Sequence, residues 1–373
     1  MLKQKKSIII AAAAGVIVGL VAICLSLDFS STGLAAWAND KGNPGNMAFC
    51  IACFIRDTAG ALGLHSAAKV QYLRPEIIGI VLGAFIIGLA KKDFAPKGGS
   101  SPFTRFILGI CVMVGALVFL GCPLRMVLRM GGGDINALIG LVGFVAGIGT
   151  GIVFLNFGFT LKRSHDQPVL EGTGMSIVSV ALLILAIAAP AFIIASTEGP
   201  GSLHAPLIIS LAAGLIIGVV GQRSRLCFVG GFRDAFLFKD FRLLISFGAI
   251  LVVVIIGNLI RGKFKLGMEG QPIAHTQVIW NILGLYLVGF GSVLLGGCPF
   301  RQLILAGSGS SDAAVTVLGF VAGAAIAHNF GLASSADGTT ANGRIAFVVC
   351  ALVIFAIAFL NTKKSSLTQG VTA

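Results

Sequence analysis

Gly121-Cys122-Pro123-Leu124-Arg125 and Gly297-Cys298-Pro299-Phe300-Arg301 say nearly the same thing. Each follows an apolar run of spanning length, and each places a thiol, a helix-breaking proline and a guanidinium where lipid tolerates none of them. An arginine inside a bilayer costs roughly 3 kcal/mol at the low end unless it faces protein, water or an anion. The two stretches therefore predict the wall of a polar path through a membrane protein. Pro123 and Pro299 would each open a short helix, since proline is pre-organised for the first helical position.

The composition agrees. A chain of 373 residues with 56% hydrophobic and 11% charged residues and a mean hydropathy of +0.98 carries more apolar surface than a soluble core needs, and is expected to be an all-α polytopic membrane protein. The 51 glycines suit helices that approach closely or break. Residues 7–27 after a lysine-rich start resemble a secretory signal. At about 20 residues the run is long enough to span and shows no small-residue cleavage site, so it is expected to remain as the first helix. A net charge of +13 would suggest nucleic acid in a soluble protein; here loop lysines and arginines that fix topology explain much of it. The eight cysteines form no secreted disulfide framework, and Cys50/Cys53 lacks a second CxxC or histidine cluster, so no metal site is read. No Walker loop, dinucleotide fingerprint, HExxH or CxxCH occurs, which argues against a cofactor, against ATP-driven pumping within the chain and against an enzyme.

Apolar runs fall at 7–27, 75–91, 103–121, 136–159, 174–195, 205–220, 241–260, 276–295, 313–332 and 344–361, about ten helices at spanning length. Lys3, Lys5 and Lys6, then Lys91, Lys92 and Lys97, then Lys162 and Arg163, then Lys363 and Lys364 all land on one side, which the positive-inside rule makes cytoplasmic, together with both termini. Arg261, Lys263 and Lys265 break that pattern. Four stretches are too short, polar or glycine-rich to span: Asn46 to Leu64, Cys122 to Met130, Gln222 to Phe238 and Cys298 to Ser308. Broken backbone at membrane depth survives only where protein or a watery cavity satisfies it, so these are read as re-entrant or half-helix segments.

An internal repeat organises them. Cys50-Ile51-Ala52-Cys53-Phe54-Ile55-Arg56-Asp57 aligns with Cys227-Phe228-Val229-Gly230-Gly231-Phe232-Arg233-Asp234 at an offset of 177. Gly121-Cys122-Pro123 aligns with Gly297-Cys298-Pro299, and Gly143-Phe144-Val145-Ala146-Gly147 with Gly319-Phe320-Val321-Ala322-Gly323, both at 176. Residues 1–200 and 201–373 are thus read as two membrane repeats. About five spans in each makes the count odd, so the second repeat would lie upside down, as in many transporters.

The chemistry follows from the residue types. Thiols at Cys50, Cys122, Cys227 and Cys298 are soft groups that sit beside sulfur or selenium without strong hydration, and as thiolates exchange with persulfides. Arg125 and Arg301 stand one helical turn after their cysteines, and a helix start adds free N–H groups and positive dipole. Together these describe a site for a small oxyanion or chalcogen anion. Arg56-Asp57 and Arg233-Asp234 are charge pairs that compensate one another or pair across the repeat, with Asp57 and Asp234 in supporting roles. Cys24, Cys111 and Cys350 are read as small buried hydrophobes, and Cys53, opposite Gly230, is left open. Asp134, Asn136 and Asp312 read as helix caps, and His328 has no histidine partner in the first half of the sequence.

GCPLR, GCPFR, the two GFVAG segments, CFVGGFRD and GGCPFRQLILAGSGSSDA resemble the YeeE/YedE family of inner-membrane sulfur transport proteins, over roughly residues 5–362. The last two stretches most resemble its YedE branch, associated with selenium. The resemblance implies uptake of a small selenium or sulfur compound into the cytoplasm, along a path on which Cys50, Cys122, Cys227 and Cys298 pass it inward. It also implies the lipid bilayer as setting and a separate cytoplasmic sulfur or selenium carrier as partner, with no nucleic acid. The alternatives are a thiosulfate or other small-oxyanion permease, a membrane thiol-redox or persulfide relay, and a lipid-binding or assembly protein.

Overall fold

The computed structural model describes residues 2–27 and 49–362. Asn46, where the first broken segment was expected to begin, and Lys363 and Lys364, used for orientation, lie outside the described residues. Among the described residues fourteen α-helices follow in order: α1 Leu2–Leu25, α2 Ile51–Ala61, α3 Pro75–Ala90, α4 Pro102–Phe119, α5 Pro123–Gly131, α6 Ile135–Asn156, α7 Val169–Ala188, α8 Leu207–Ser224, α9 Phe228–Phe238, α10 Arg242–Ile260, α11 Val278–Leu294, α12 Pro299–Gly307, α13 Ser311–Asn329 and α14 Ala341–Leu360. Two-residue strands β1 (Lys97–Gly98) and β2 (His165–Asp166) pair antiparallel between loops. Among the described residues nine segments are long and apolar enough to cross a membrane, and α3, at 16 residues, is a shorter apolar helix. The protein is an all-α polytopic membrane protein, with α2, α5, α9 and α12 at the four places where the sequence refuses to span.

Each break has a local cause. Leu120 takes the left-handed conformation at φ 63, and its counterpart Gly296 does so at φ 80. A leucine there is strained where a glycine is not, and such strain tends to collect at functional sites. After the turn, Pro123 and Pro299 open α5 and α12, with Cys122 and Cys298 as the residues before the first helical turn. At the other two short helices the thiol itself caps: Cys50 Sγ accepts from Cys53 N at 3.4 Å and Cys227 Sγ from Gly230 N at 3.3 Å. Sulfur here takes the place of the oxygen that usually satisfies an orphan N–H.

The packing exchanges roles between the halves. Helix α6 lies along α11 as α13 lies along α4; α3 lies on α8 as α1 lies on α10; α12 meets α3 as α5 meets α10; α4 and α11 pack on each other at the centre. The GFVAG segments form the seams. A Cβ on Gly143 would sit 2.0 Å from Ile282 O and one on Gly147 2.1 Å from Tyr286 O; on Gly319 it would meet Phe106 O at 2.4 Å. The glycines are therefore what lets α6 lie against α11 and α13 against α4, the close approach that small residues permit in membranes.

Loops interlock the halves further. The link after α3 lies on the start of α13, with Ala95 N donating to Ser308 O and Lys97 N to Gly309 O, both at 3.1 Å. Ser100 N and Oγ donate to the Asp312 carboxylate at 3.0 and 2.6 Å. The link after α10 does the same over α5 and α6: Lys265 N donates to Gly132 O at 2.9 Å, Gly267 N to Gly133 O at 3.0 Å, and Ile135 N to Gly267 O at 3.1 Å. Asp134 caps α6 as expected, accepting from Asn136 N at 2.8 Å. Asp312 does not cap α13. Ser310 does, accepting from Ala313 N at 3.2 Å, which leaves Asp312 free to hold the opposite loop.

Candidate functional site

The short helices bring their N-termini together in pairs. In the second half, the Cys227 and Cys298 sulfurs lie 3.9 Å apart; Cys227 also bonds the Cys298 backbone, and Cys298 the backbone of Phe228 at the facing helix start and of Arg301 on its own helix. In the first half, the Cys122 thiol bonds to that of Cys50 and to the backbone of Ala52 and Arg125. Two positive helix ends and two thiols thus converge in each half, a favourable setting for an anion. All four sulfurs are buried. The described thiol contacts run within each pair, while α2, which begins at the first pair, packs against α12, which begins at the second.

Cys53 joins the first pair. Its thiol bonds to Cys50 and it is fully buried, so the first half gathers three thiols where the second, with Gly230 in that place, gathers two. Cys111 and Cys350 also meet each other, on the packed helices α4 and α14 away from the short helices. Cys24 is exposed.

The arginines divide into those that are spoken for and those nearer the thiols. Arg125 is 2% exposed, one turn after Cys122, and Nη2 donates to Pro272 O at 3.0 Å. Arg301, half-buried, donates from Nη1 to Gln222 Oε1 at 3.4 Å. Arg56 donates from Nε and Nη2 to Asp57 Oδ1 at 2.8 and 2.7 Å, so it compensates its own neighbour rather than pairing across the repeat. Arg233 does likewise with Asp234 at 2.8 Å, in a more exposed position. Arg129 is held by Asp134 Oδ2 at 2.6 Å and lies over the Phe119 ring at 4.4 Å.

Two partners escaped the sequence reading. Arg74 donates from Nε to Asp57 Oδ2 at 2.8 Å, closing a buried Arg56–Asp57–Arg74 triad of net positive charge, and also bonds Pro200 O at 3.0 Å. It carries no motif and reads as a charge flanking a span. His328, expected to lack a histidine partner from the first half, stacks on His65 with ring centroids 4.7 Å apart. Nothing in spacing announces a contact between a loop and a span in the other half. Among the described residues no cluster of His, Cys, Asp or Glu has the makings of a metal site.

Comparison with known proteins bears on the second half in particular. The family model described as sulphur transport matches residues 223–361, from just before Cys227 to the end of α14. The thiosulfate transporter TsuA of Spirochaeta thermophila is 32% identical over 117 residues, which cover 31% of this chain and 34% of that protein. The thiosulfate transporter TsuA of Escherichia coli is 32% identical over 106 residues, covering 28% and 29% respectively. The match thus spans about a third of the length of these curated relatives or less. With the Cys-Pro-x-Arg segment and its facing thiol inside the matched region, residues 223–361 of this chain are similar to sulphur transport proteins.

Proposed function

We propose that the protein is a permease of the inner membrane that brings a small sulfur oxyanion, thiosulfate foremost, into the cytoplasm past its buried thiols. The observation that carries this reading is the Cys227–Cys298 contact of 3.9 Å at two converging helix N-termini, one turn from Arg301. Thiols suit a soft terminal sulfur, while N–H groups and a guanidinium suit oxygens, and thiosulfate has both ends in one small dianion. The relatives named thiosulfate transporters support the same choice over a selenium compound. A selenium analogue of the same shape remains the second substrate class, because thiols accept selenium as readily as sulfur.

In this reading residues 1–200 and 201–373 are inverted repeats, both termini are cytoplasmic, and the solute passes from Cys50 and Cys122 to Cys227 and Cys298 with Arg125 and Arg301 at the approaches. Arg56 and Arg233, neutralised by Asp57 and Asp234, shape the walls. The protein does no chemistry on the solute, and a cytoplasmic sulfur or selenium carrier receives it. The test is uptake of radiolabelled thiosulfate into sealed vesicles containing the purified protein, with sulfate, selenite and thiocyanate as competitors. Saturable accumulation that thiosulfate alone displaces supports the proposal. Displacement by selenite instead moves the substrate to selenium, and no accumulation above empty vesicles removes transport and leaves the redox relay.

A further inference from the structure

The last turn of α8 lies directly on α12, beside the second thiol pair. Gly221 leaves room there for Phe300 and Ile304, whose ring and methyl an added Cβ would meet at 3.1 and 2.4 Å. Arg301 reaches the same turn through Nη1, which donates to Gln222 Oε1 at 3.4 Å. Arg225 follows as the residue that ends α8, its backbone N donating to Gln222 O at 3.4 Å. The Arg225 charge is near enough to act on Arg301, and Arg301 in turn acts on the sulfurs of Cys227 and Cys298. Other cations of these helices have counter-charges: Arg105 pairs with Asp312 at 3.8 Å, Arg129 with Asp134 at 2.6 Å, and Arg223, on the turn in question, with Asp93 at 3.5 Å. Among the described residues Arg225 and Arg301 form no ion pair, and the Arg225 side chain makes no hydrogen bond. Arg301 spends one of its five N–H groups on the long bond to Gln222. Arg225 is exposed, as are Arg223, Asp93, Lys91 and Lys92, so this end of α8 faces water rather than lipid.

We infer that Arg225 and Arg301 together hold the oxygens of a divalent oxyanion at the mouth beside Cys227 and Cys298, and that Arg225 thereby sets a preference for dianions over monoanions. This deepens the proposed function and rests on it for the identity of the passing solute. Two neighbouring guanidiniums without a carboxylate carry two positive charges, which one divalent anion balances and a monovalent one does not. Each guanidinium presents a planar fork that matches a pair of oxygens, so the two can share one small anion. With Arg301 alone, a dianion would keep one charge uncompensated next to buried groups, where water screens it least. A monoanion needs one guanidinium and loses little when the second is gone. The repeat offset of 177 puts Ala48 in the place of Arg225, so this residue has no counterpart in the first half.

Calorimetric titration of the purified full chain in detergent with sodium thiosulfate, sulfate and thiocyanate, at one ionic strength, tests it. Arg225 stands at φ 55, where glycine sits without strain, so Arg225→Gly removes the guanidinium and leaves the end of α8 in place; Arg225→Gln serves if the glycine variant melts early. Either should bind both dianions about tenfold more weakly or worse, the loss expected for a hydrogen bond to a charged group, while thiocyanate binding changes little. Arg225→Lys, which keeps the charge and loses the fork, should fall between. Thiosulfate bound equally by the wild type and these variants overturns the clamp and leaves the transport reading standing. A proportional loss for all three anions also overturns it, because Arg225 would then be a general attraction rather than the second half of a dianion site. Sulfate bound and weakened as expected, with thiosulfate not bound at all, upholds the clamp and strikes the thiosulfate reading. No binding of either dianion by the wild type overturns the clamp, and vesicle uptake then decides transport by itself.

Discussion

Arg74 grips Asp57 through Nε at 2.8 Å and Nη2 at 2.5 Å, on the carboxylate oxygen opposite the one that Arg56 holds. One carboxylate thus compensates two guanidiniums, all three almost wholly buried around α2. Asp57→Asn would leave both cations facing a neutral amide. Breaking a buried ion pair by removing one partner costs about 3–5 kcal/mol, so this variant should unfold far more readily in detergent than Arg74→Gln, which leaves the Arg56–Asp57 pair neutral. If Arg74→Gln proves the less stable of the two, the triad is not what holds α2 in place.

Substituting the paired thiols separates a path from a packing detail. Cys298→Ser keeps the size of the group but offers a hard, well-hydrated hydroxyl in place of a soft sulfur 3.9 Å from Cys227. Losing about 1.4 kcal/mol of solute stabilisation lowers the rate tenfold, and Cys298→Ser and Cys122→Ser should each reduce thiosulfate uptake by at least that factor with the fold intact. Cys111→Ser and Cys350→Ser, in a pair away from the short helices, should transport as the wild type does. Equal losses in all four would make the thiols general packing groups.

How much of this was legible follows from what sequence can encode. The spans, the four short helices and the pairing of prolines with cysteines are written locally: hydrophobic length, glycine and proline position, and a repeat offset suffice. That Cys50 meets Cys122, and Cys227 meets Cys298, was not foreshadowed by motif, since the repeat matches Cys50 with Cys227 and Cys122 with Cys298. The reach of Arg74 to Asp57, the His65–His328 stack and the loops that clasp the opposite half were not foreshadowed either, because each is made by tertiary packing that has no periodicity. Cys53 was undecided for the opposite reason: its counterpart is Gly230, so the repeat offered no second copy to read.

The glycine seams allow a sharper check. An added Cβ on Gly143 would lie 2.0 Å from Ile282 O, a backbone atom that cannot move away alone. Overpacking of this kind costs typically about 1–3 kcal/mol, so Gly143→Ala should lower the melting temperature, whereas Gly149→Ala, on the same helix with nothing within 4 Å, should not. The contrast matters more than either value. Equal melting of both would mean that α6 and α11 are not held together by the glycine stripe.

Acid should loosen the loop face through its histidines. His65, in the link between α2 and α3, is pushed below the ordinary 6.5 mainly by burial, helped by the nearby Arg56 charge and opposed by its bond to the Arg56 carbonyl. His275, in the loop between α10 and α11, is lowered by burial as well. In both, the unfolded chain binds the proton more tightly than the folded one, so stability rises with pH wherever the two differ. The contribution is intact above the unfolded value of about 6.5 and declines as pH falls below it, levelling off once the folded value is passed. Melting followed from pH 7.5 to pH 5, an interval chosen to bracket the ordinary imidazole value of about 6.5, should show that decline in the wild type. His65→Phe keeps the stacked ring against His328 and removes the proton site, so its curve should be shallower over the same interval. An unchanged slope in His65→Phe would mean that the acid sensitivity arises elsewhere and that the His65–His328 stack takes no part in it.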